Sequence, residues 1–182
     1  LLDEGTSLVG LLRPNSNSEL LNSLARRGVN AFSMELVPRV ARAQRLDVLS
    51  SQSSLAGYKA VLIAANTLGK FLPMMMTAAG TIPPSRVLVL GAGVAGLKAI
   101  ATARRLGAVV EAFDVRAATR EQVESLGATF LEIDQSQDVE TIGGYAQELN
   151  DDEQERQRDL IATRAAVADA VITTALIPNR PS

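Results

Sequence analysis

The run Val87-Leu88-Val89-Leu90-Gly91-Ala92-Gly93-Val94-Ala95-Gly96-Leu97 constrains this 182-residue chain more than any other stretch. Four consecutive apolar residues predict a strand buried on both faces, as in a parallel sheet. A glycine turn follows, and then a helical apolar period through Leu97, Ile100, Ala101 and Leu106. Gly91, Gly93 and Gly96 fit G-x-G-x-x-G, and each glycine has its own task. The first permits the tight turn, the second lets a pyrophosphate approach the backbone, and the third lets helix and strand pack closely. Val94 and Ala95 open the helix, where unpaired N–H groups and the helix dipole favour phosphate. The motif alone also describes an ordinary glycine turn with only a packing role. Its context selects dinucleotide binding: a second strand, Val109 to Asp114, ends in an acid about twenty residues on, where a ribose-binding carboxylate belongs. Val115 and Arg116 follow it directly.

Composition narrows the chemistry. With 47% hydrophobic residues the chain can bury a core. A net charge of −2 and few aromatics argue against a general nucleic-acid surface. No cysteine is present, so there is no disulfide framework, thiolate metal site or cysteine nucleophile. Histidine, the commonest general base and metal ligand, is also missing. The most apolar region, Tyr58 to Ala79, is interrupted by Lys59, Asn66, Lys70 and Pro73 and falls short of a membrane span. The start, Leu1-Leu2-Asp3-Glu4, lacks the basic region of a signal peptide, and the chain reads as cut from something longer.

In chain order, Ser7 to Leu12 reads as a strand ended by Arg13-Pro14-Asn15. Ser16-x-x-Glu19 has the form of a capping box, opening a helix with Leu20, Leu21 and Leu24 on one face and Gly28 as its stop. Val29 to Met34 is a second strand, parallel to the first by β-α-β order. Glu35 to Ser51 mixes arginines, Gln44, Asp47 and serines without an amphipathic face. It reads either as a solvated linker or as a polar loop facing a ligand. A helix is expected over Ser54 to Leu68, with Leu55, Tyr58, Val61, Leu62 and Ala65 on one side. Met74-Met75-Met76 reads as core filling, and Thr81 to Ser85 as a rigid break. After Asp114 come a helix (Thr119 to Leu126), a strand (Thr129 to Ile133), a long acidic loop (Asp134 to Glu148), a helix (Asp151 to Ala168) whose apolar side is Leu160, Ile161, Ala165 and Val167, and a strand (Ala170 to Thr174). The expected fold is α/β: a Rossmann-like parallel sheet with flanking helices, plus part of a second α/β domain. The expected divisions are 1–50, a partial N-terminal domain; 51–80, a connecting helix; and 81–182, a nucleotide domain short of a full six-stranded sheet.

Three markers carry a resemblance: Pro38-Arg39-x-x-Arg42-Ala43-Gln44-x-x-Asp47-x-Leu49-Ser50-Ser51 with Ala56-Gly57-Tyr58 after it, Gly144-Tyr145-Ala146, and Thr173-Thr174-Ala175-Leu176-Ile177-Pro178. Over nearly its whole length the chain resembles the NAD(H)-binding component (domain I, alpha subunit) of proton-translocating nicotinamide nucleotide transhydrogenases. The resemblance implies that Arg39, Gln44, Asp47 and Ser50 surround the nicotinamide end of NAD(H). It implies that Tyr145 sits on a loop closing over the nucleotide, and that Asp114 holds the adenosine ribose. Thr174, Ala175 and Leu176 fall at a strand end, where parallel sheets place ligand loops. Two positions depart from the family pattern: Leu149 where methionine is usual, and Asn179 where glycine is usual.

The implied reaction passes hydride between NAD(H) here and NADP(H) on a partner domain, coupled to proton movement through a membrane domain. Such a transfer needs close approach and orientation more than an acid or base. In that reading Gln44 and Asp47 fix the nicotinamide and its ribose, Arg39 anchors the loop or the phosphates, and Tyr145 excludes water. The implied assembly is a homodimer of the complete domain, on the cytoplasmic face of a bacterial inner membrane or in a mitochondrial matrix. Two rivals stand beside it: an amino-acid oxidoreductase of the alanine dehydrogenase kind, and a non-catalytic NAD-binding fragment.

Overall fold

The computed structural model describes residues 2–38, 40–132 and 151–175, with backbone only at 151–153. The chain divides into two compact units, Leu1–Gln52 and Ser53–Ser182.

In the first unit, β1 (Ser7–Gly10) and β2 (Asn30–Ser33) form a parallel pair in the register Ser7↔Asn30 to Gly10↔Ser33. The helix α1 (Ser18–Arg26) connects them. Its first turn is not the expected capping box. Asn17 is the entry residue, no side chain caps the helix, and Asn17 Nδ2 donates to the Leu12 carbonyl at 2.9 Å. The loop ahead of it is fixed from a distance by Glu35, whose carboxylate accepts the N–H groups of Leu12 and Arg13 and the Ser33 hydroxyl. The Ser33 bond, opposed by burial and helped by the backbone bonds of Glu35, Arg13 and Leu12, holds the Glu35 pKa down to about 2. Two short 3-10 turns, Met34–Leu36 and Ala41–Leu46, follow.

Helix α2 (Val48–Thr67) starts six residues before the expected Ser54, and its later residues belong to the second unit. Its inward face is built from Gly57, Ala60, Val61, Ala65 and, just beyond its end, Leu68. Leu55 and Tyr58, expected on the apolar side, are exposed. Near Gly57 the inward position is taken by a glycine because α2 there lies against backbone, as shown below.

The second unit is organised by a wholly parallel sheet in the order β7-β6-β5-β8: β5 (Arg86–Leu90), β6 (Val109–Phe113), β7 (Thr129–Phe130) and β8 (Ala170–Thr173). Strand alternation divides its core in two. Val87, Val89, Val110 and Ala112 join Val61, Ile100 and Val123 on one side. Leu88, Phe113 and Leu131 pack with Leu160, Ile161 and Ala165 on the other. These last three lie on α5 (Asp151–Val167), while Val167, placed by periodicity with them, is exposed. Helix α3 (Val94–Arg105) presents Gly96, Ala99, Ile100 and Ala103 to the sheet and so lies close to it. Helix α4 (Arg120–Ser125) contributes Val123. At the sheet's starting edge Asp169 accepts the Arg86 N–H at 2.7 Å and Lys70 Nζ at 3.0 Å, which hold its carboxyl below the usual range.

The methionine run departs most from expectation. Met74, Met75 and Met76 are 57%, 37% and 78% exposed. Met75 and Met76 belong to an antiparallel hairpin, β3 (Met75–Thr77) with β4 (Gly80–Ile82), which forms its own two-stranded sheet. Apolar side chains on a ribbon outside the main sheet are not buried by it.

Candidate nucleotide site

The site begins where β5 runs into α3. Gly91 has φ +95°, a left-handed conformation that favours glycine, and a Cβ there would come within 2.9 Å of Thr174 Oγ1. A Cβ on Gly96 would fall on the carbonyl oxygen of Gly91, so the third glycine lets α3 seat against its own turn. Gly93, the residue entering α3, differs from both: a Cβ there meets nothing within 4 Å. The turn is therefore tight on its inner side and open at its second glycine, the shape a phosphate needs to reach backbone N–H groups. Val94 is exposed and Ala95 half-buried at the first turn of α3.

Two neighbouring strand ends brace this turn. From β8, the Thr174 hydroxyl donates within reach of the carbonyls of Gly91 (3.0 Å) and Leu90 (3.3 Å), and its N–H bonds Leu90 at 2.8 Å. Ala175 is exposed beside it. From β6, Asp114 turns its carboxylate toward the turn, where Oδ2 accepts the Ala92 N–H at 2.6 Å. Arg116 closes over the same carboxylate, with Nε 3.0 Å from Oδ1 and Nη2 3.0 Å from Oδ2. Its backbone N–H adds a bond to Oδ1 at 2.9 Å. Burial raises the Asp114 pKa, but the Arg116 side-chain bond, the two backbone N–H groups and the Arg116 charge outweigh it, leaving the carboxyl below its ordinary value. Val115, between the two, is exposed.

In the other unit, Asp47 and Ser50 are joined to each other. Asp47 Oδ1 accepts the Ser50 N–H at 2.9 Å and Oδ2 the Ser50 hydroxyl at 2.7 Å, while the Asp47 carbonyl accepts the Ser51 N–H at 3.2 Å. This is the geometry of a helix cap, immediately before Val48 opens α2. Gln44 is exposed on the preceding 3-10 turn. Arg39, Tyr145 and Leu176 lie outside the described residues, as do Leu149 and Asn179.

Three features here were not anticipated from the sequence. The bond from Ala92 to Asp114 makes the candidate ribose acid also a brace for the glycine turn. The Arg116 fork is a second, and an acid followed two residues later by arginine was its only linear signal. The third is Gly57, where a Cβ would fall on the Ala95 carbonyl oxygen and lie 2.8 Å from its carbon. Helix α2 thus rests directly on the turn that opens α3.

Family models place this architecture. The model described as "Alanine dehydrogenase/PNT, C-terminal domain" matches residues 60–182, and "Alanine dehydrogenase/PNT, N-terminal domain" matches residues 1–56. The chain belongs to the alanine dehydrogenase/PNT family. Within that family it is 52% identical, over all of its length, to an NAD(P) transhydrogenase subunit alpha protein of Rhodospirillum rubrum, covering 48% of that protein. It is 45% identical to NAD(P) transhydrogenase subunit alpha of Haemophilus influenzae, covering 35% of it. The chain therefore spans half or less of the length of these relatives. The crystal structure of transhydrogenase from Sinorhizobium meliloti matches 99% of the chain at TM-score 0.84 and 50% identity, over 48% of that protein. An L-alanine dehydrogenase structure matches all of the chain at TM-score 0.72 and 26% identity, over 45% of that protein. Among these relatives of the alanine dehydrogenase/PNT family, similarity is thus greater to the transhydrogenase branch. Among the described residues no helix is long and apolar enough to cross a membrane.

Proposed function

We propose that this chain forms the NAD(H)-binding part of a transhydrogenase component that passes hydride between NAD(H) and NADP(H) held on a partner domain. The observation that carries the reading is the glycine turn of Gly91, Gly93 and Gly96 with the Asp114 carboxylate fastened to its Ala92 N–H. That donor set suits a dinucleotide. The open side of Gly93 and the first turn of α3 would receive the pyrophosphate, and Asp114 the adenosine ribose. Thr174 braces the turn from the end of β8, and Ala175 and Leu176 after it are read as part of the nucleotide site.

The nicotinamide supplies the hydride chemistry when bound; the chain's residues bind, orient and exclude water. In this reading Gln44, Asp47, Ser50 and Arg39 serve the nicotinamide end, and Tyr145 closes over it. Asp47 and Ser50 restrain each other, which reduces the ordering cost of presenting either to a ligand. No group need take a proton during a direct transfer between two nicotinamides, in keeping with a chain that carries no histidine or cysteine. The reading extends to an NADP(H)-binding domain and a membrane domain as partners, to a homodimer of the complete domain, and to the cytoplasmic face of a bacterial membrane or a mitochondrial matrix.

Titration of NADH fluorescence against this chain tests the nucleotide site. Saturable binding that Asp114→Asn weakens about ten- to hundredfold supports it, since hydrogen bonds to a charged group contribute about 1.5–3 kcal/mol. Equal affinity in that variant refutes the role of Asp114. The L-alanine dehydrogenase match supports a second reading as an amino-acid oxidoreductase. Alanine-dependent NAD reduction by the complete protein would favour it; transfer from NADH to an NADP analogue with the partner domain would favour the first.

A further inference from the structure

The Asp114 carboxylate is already saturated. An ionised carboxylate offers about four in-plane acceptor positions and no donor. Four N–H groups meet it: Ala92 N and Arg116 Nη2 on Oδ2, and Arg116 N and Arg116 Nε on Oδ1. A ribose hydroxyl that donates to this carboxylate must therefore displace one of the four. The two backbone donors are fixed by the glycine turn and by the end of β6. The guanidinium is the group able to leave, because its side chain is 58% exposed while that of Asp114 is 6% exposed.

We propose that Arg116 is a displaceable internal partner that occupies the ribose position on Asp114 and sets the discrimination between nucleotides with a free 2′-hydroxyl and those with a 2′-phosphate. The proposal rests on the assignment of Asp114 to the ribose. A free 2′-hydroxyl needs the acceptor that the guanidinium covers, so Arg116 opposes it. A 2′-phosphate has no proton to give, is repelled by Asp114, and meets in Arg116 a planar fork suited to its oxygens. The same side chain thus acts with opposite sign on the two ligand classes. Arg116 acts on a free 2′-hydroxyl through Asp114 and on a 2′-phosphate directly, whereas Asp114 is the group that touches the ribose.

The test compares three probes, NADH, its 2′-deoxyadenosine analogue and NADPH, by fluorescence titration of the wild-type chain and of Arg116→Ala. NADH and the deoxy analogue carry the same charge, so their affinity ratio is unaffected by the loss of one positive charge. Release of an ion pair whose arginine is exposed predicts that the NADH preference over the deoxy analogue rises about two- to fivefold in Arg116→Ala. The NADPH-to-NADH affinity ratio falls. An unchanged or reduced preference for NADH over the deoxy analogue overturns the proposal. Arg116→Lys keeps the charge without the fork and should also raise that preference. In the wild-type chain, the nitrogen-15 resonance of Arg116 Nε–H should lose its hydrogen-bonded shift on adding NADH, and retention of that shift overturns the proposal without any variant. Asp114→Asn separates the two levels. If it leaves the preference for NADH over the deoxy analogue intact, the ribose assignment fails and the proposal with it. If it erases that preference while Arg116→Ala does not change it, only the role of Arg116 fails.

Discussion

Gly57→Ala sets two physical effects of opposite sign against each other. In a helix interior, alanine in place of glycine is favoured by about 0.5–1 kcal/mol, through the backbone entropy of the unfolded chain. Helix propensity alone therefore predicts a more stable protein. Packing predicts the reverse. The new Cβ would fall on the Ala95 carbonyl oxygen and lie 2.8 Å from its carbon and 3.1 Å from its Cα. Ordinary carbon contacts begin near 3.4 Å, so α2 must retreat by at least about half an ångström. A backbone carbonyl cannot rotate aside as a side chain would. Overpacking of this kind costs about 1–3 kcal/mol. A Cβ lying on a backbone carbonyl belongs to the upper part of that range, about 2–3 kcal/mol, so with the propensity gain subtracted the expected net loss is about 1–2.5 kcal/mol, a fall of about 2–10 °C in Tm for a chain of this size. The assay is thermal unfolding by circular dichroism, with Ala56→Gly, exposed and adjacent in the same helix, calibrating the propensity effect. Because Ala95 sits in the first turn of α3, NADH affinity should fall with stability. A Gly57→Ala protein as stable as the wild type, or more stable, would refute the close-approach argument.

Two further outcomes follow from the first unit. The folded pKa of Glu35, about 2, lies below its ordinary value of 4.5. The stabilisation from its ionised form is thus complete above about pH 4.5 and is lost as pH falls toward 2. Hydrogen-exchange protection of the β1 and β2 amides should decline through that window, and Glu35→Gln should reduce protection at neutral pH and flatten the decline. A wild-type profile that stays level across the acid range would contradict it. Asp47→Ala should cost about 1 kcal/mol by removing the cap on α2, read as loss of thermal stability. Asp47→Ser should restore the cap; if NADH affinity nonetheless drops in that variant, Asp47 also serves the ligand, and if affinity is unchanged its role is confined to the cap.

Much of the second unit was legible in the linear chain because its signals are local and mutually consistent. Four apolar residues followed by Gly91, Gly93 and Gly96 specify a strand, a turn with positive φ and a closely packed helix, and each demand is met within a few residues. The parallel order of β5 and β6 follows from the helix between them, and so does the arrival of Asp114 beside the turn. In the first unit the same logic gave β1 and β2 as a parallel pair.

Contacts that hydrophobic periodicity does not encode became definite only in the folded chain. Periodicity placed Leu55 and Tyr58 inward, but α2 rests on the Ala95 backbone through Gly57, and close backbone approach selects small residues over large ones. Apolar character placed Met74 to Met76 in the core, but burial depends on a covering element, and a two-stranded hairpin outside the main sheet supplies none. The Ser16–Glu19 spacing suggested a capping box, whereas Glu35, distant in sequence, fixes the loop and leaves Asn17 at the helix entry. The chain alone named the acid at the end of β6. Its four hydrogen bonds, two from an arginine side chain, exist only once the strand end, the glycine turn and the Arg116 guanidinium have been brought to one point.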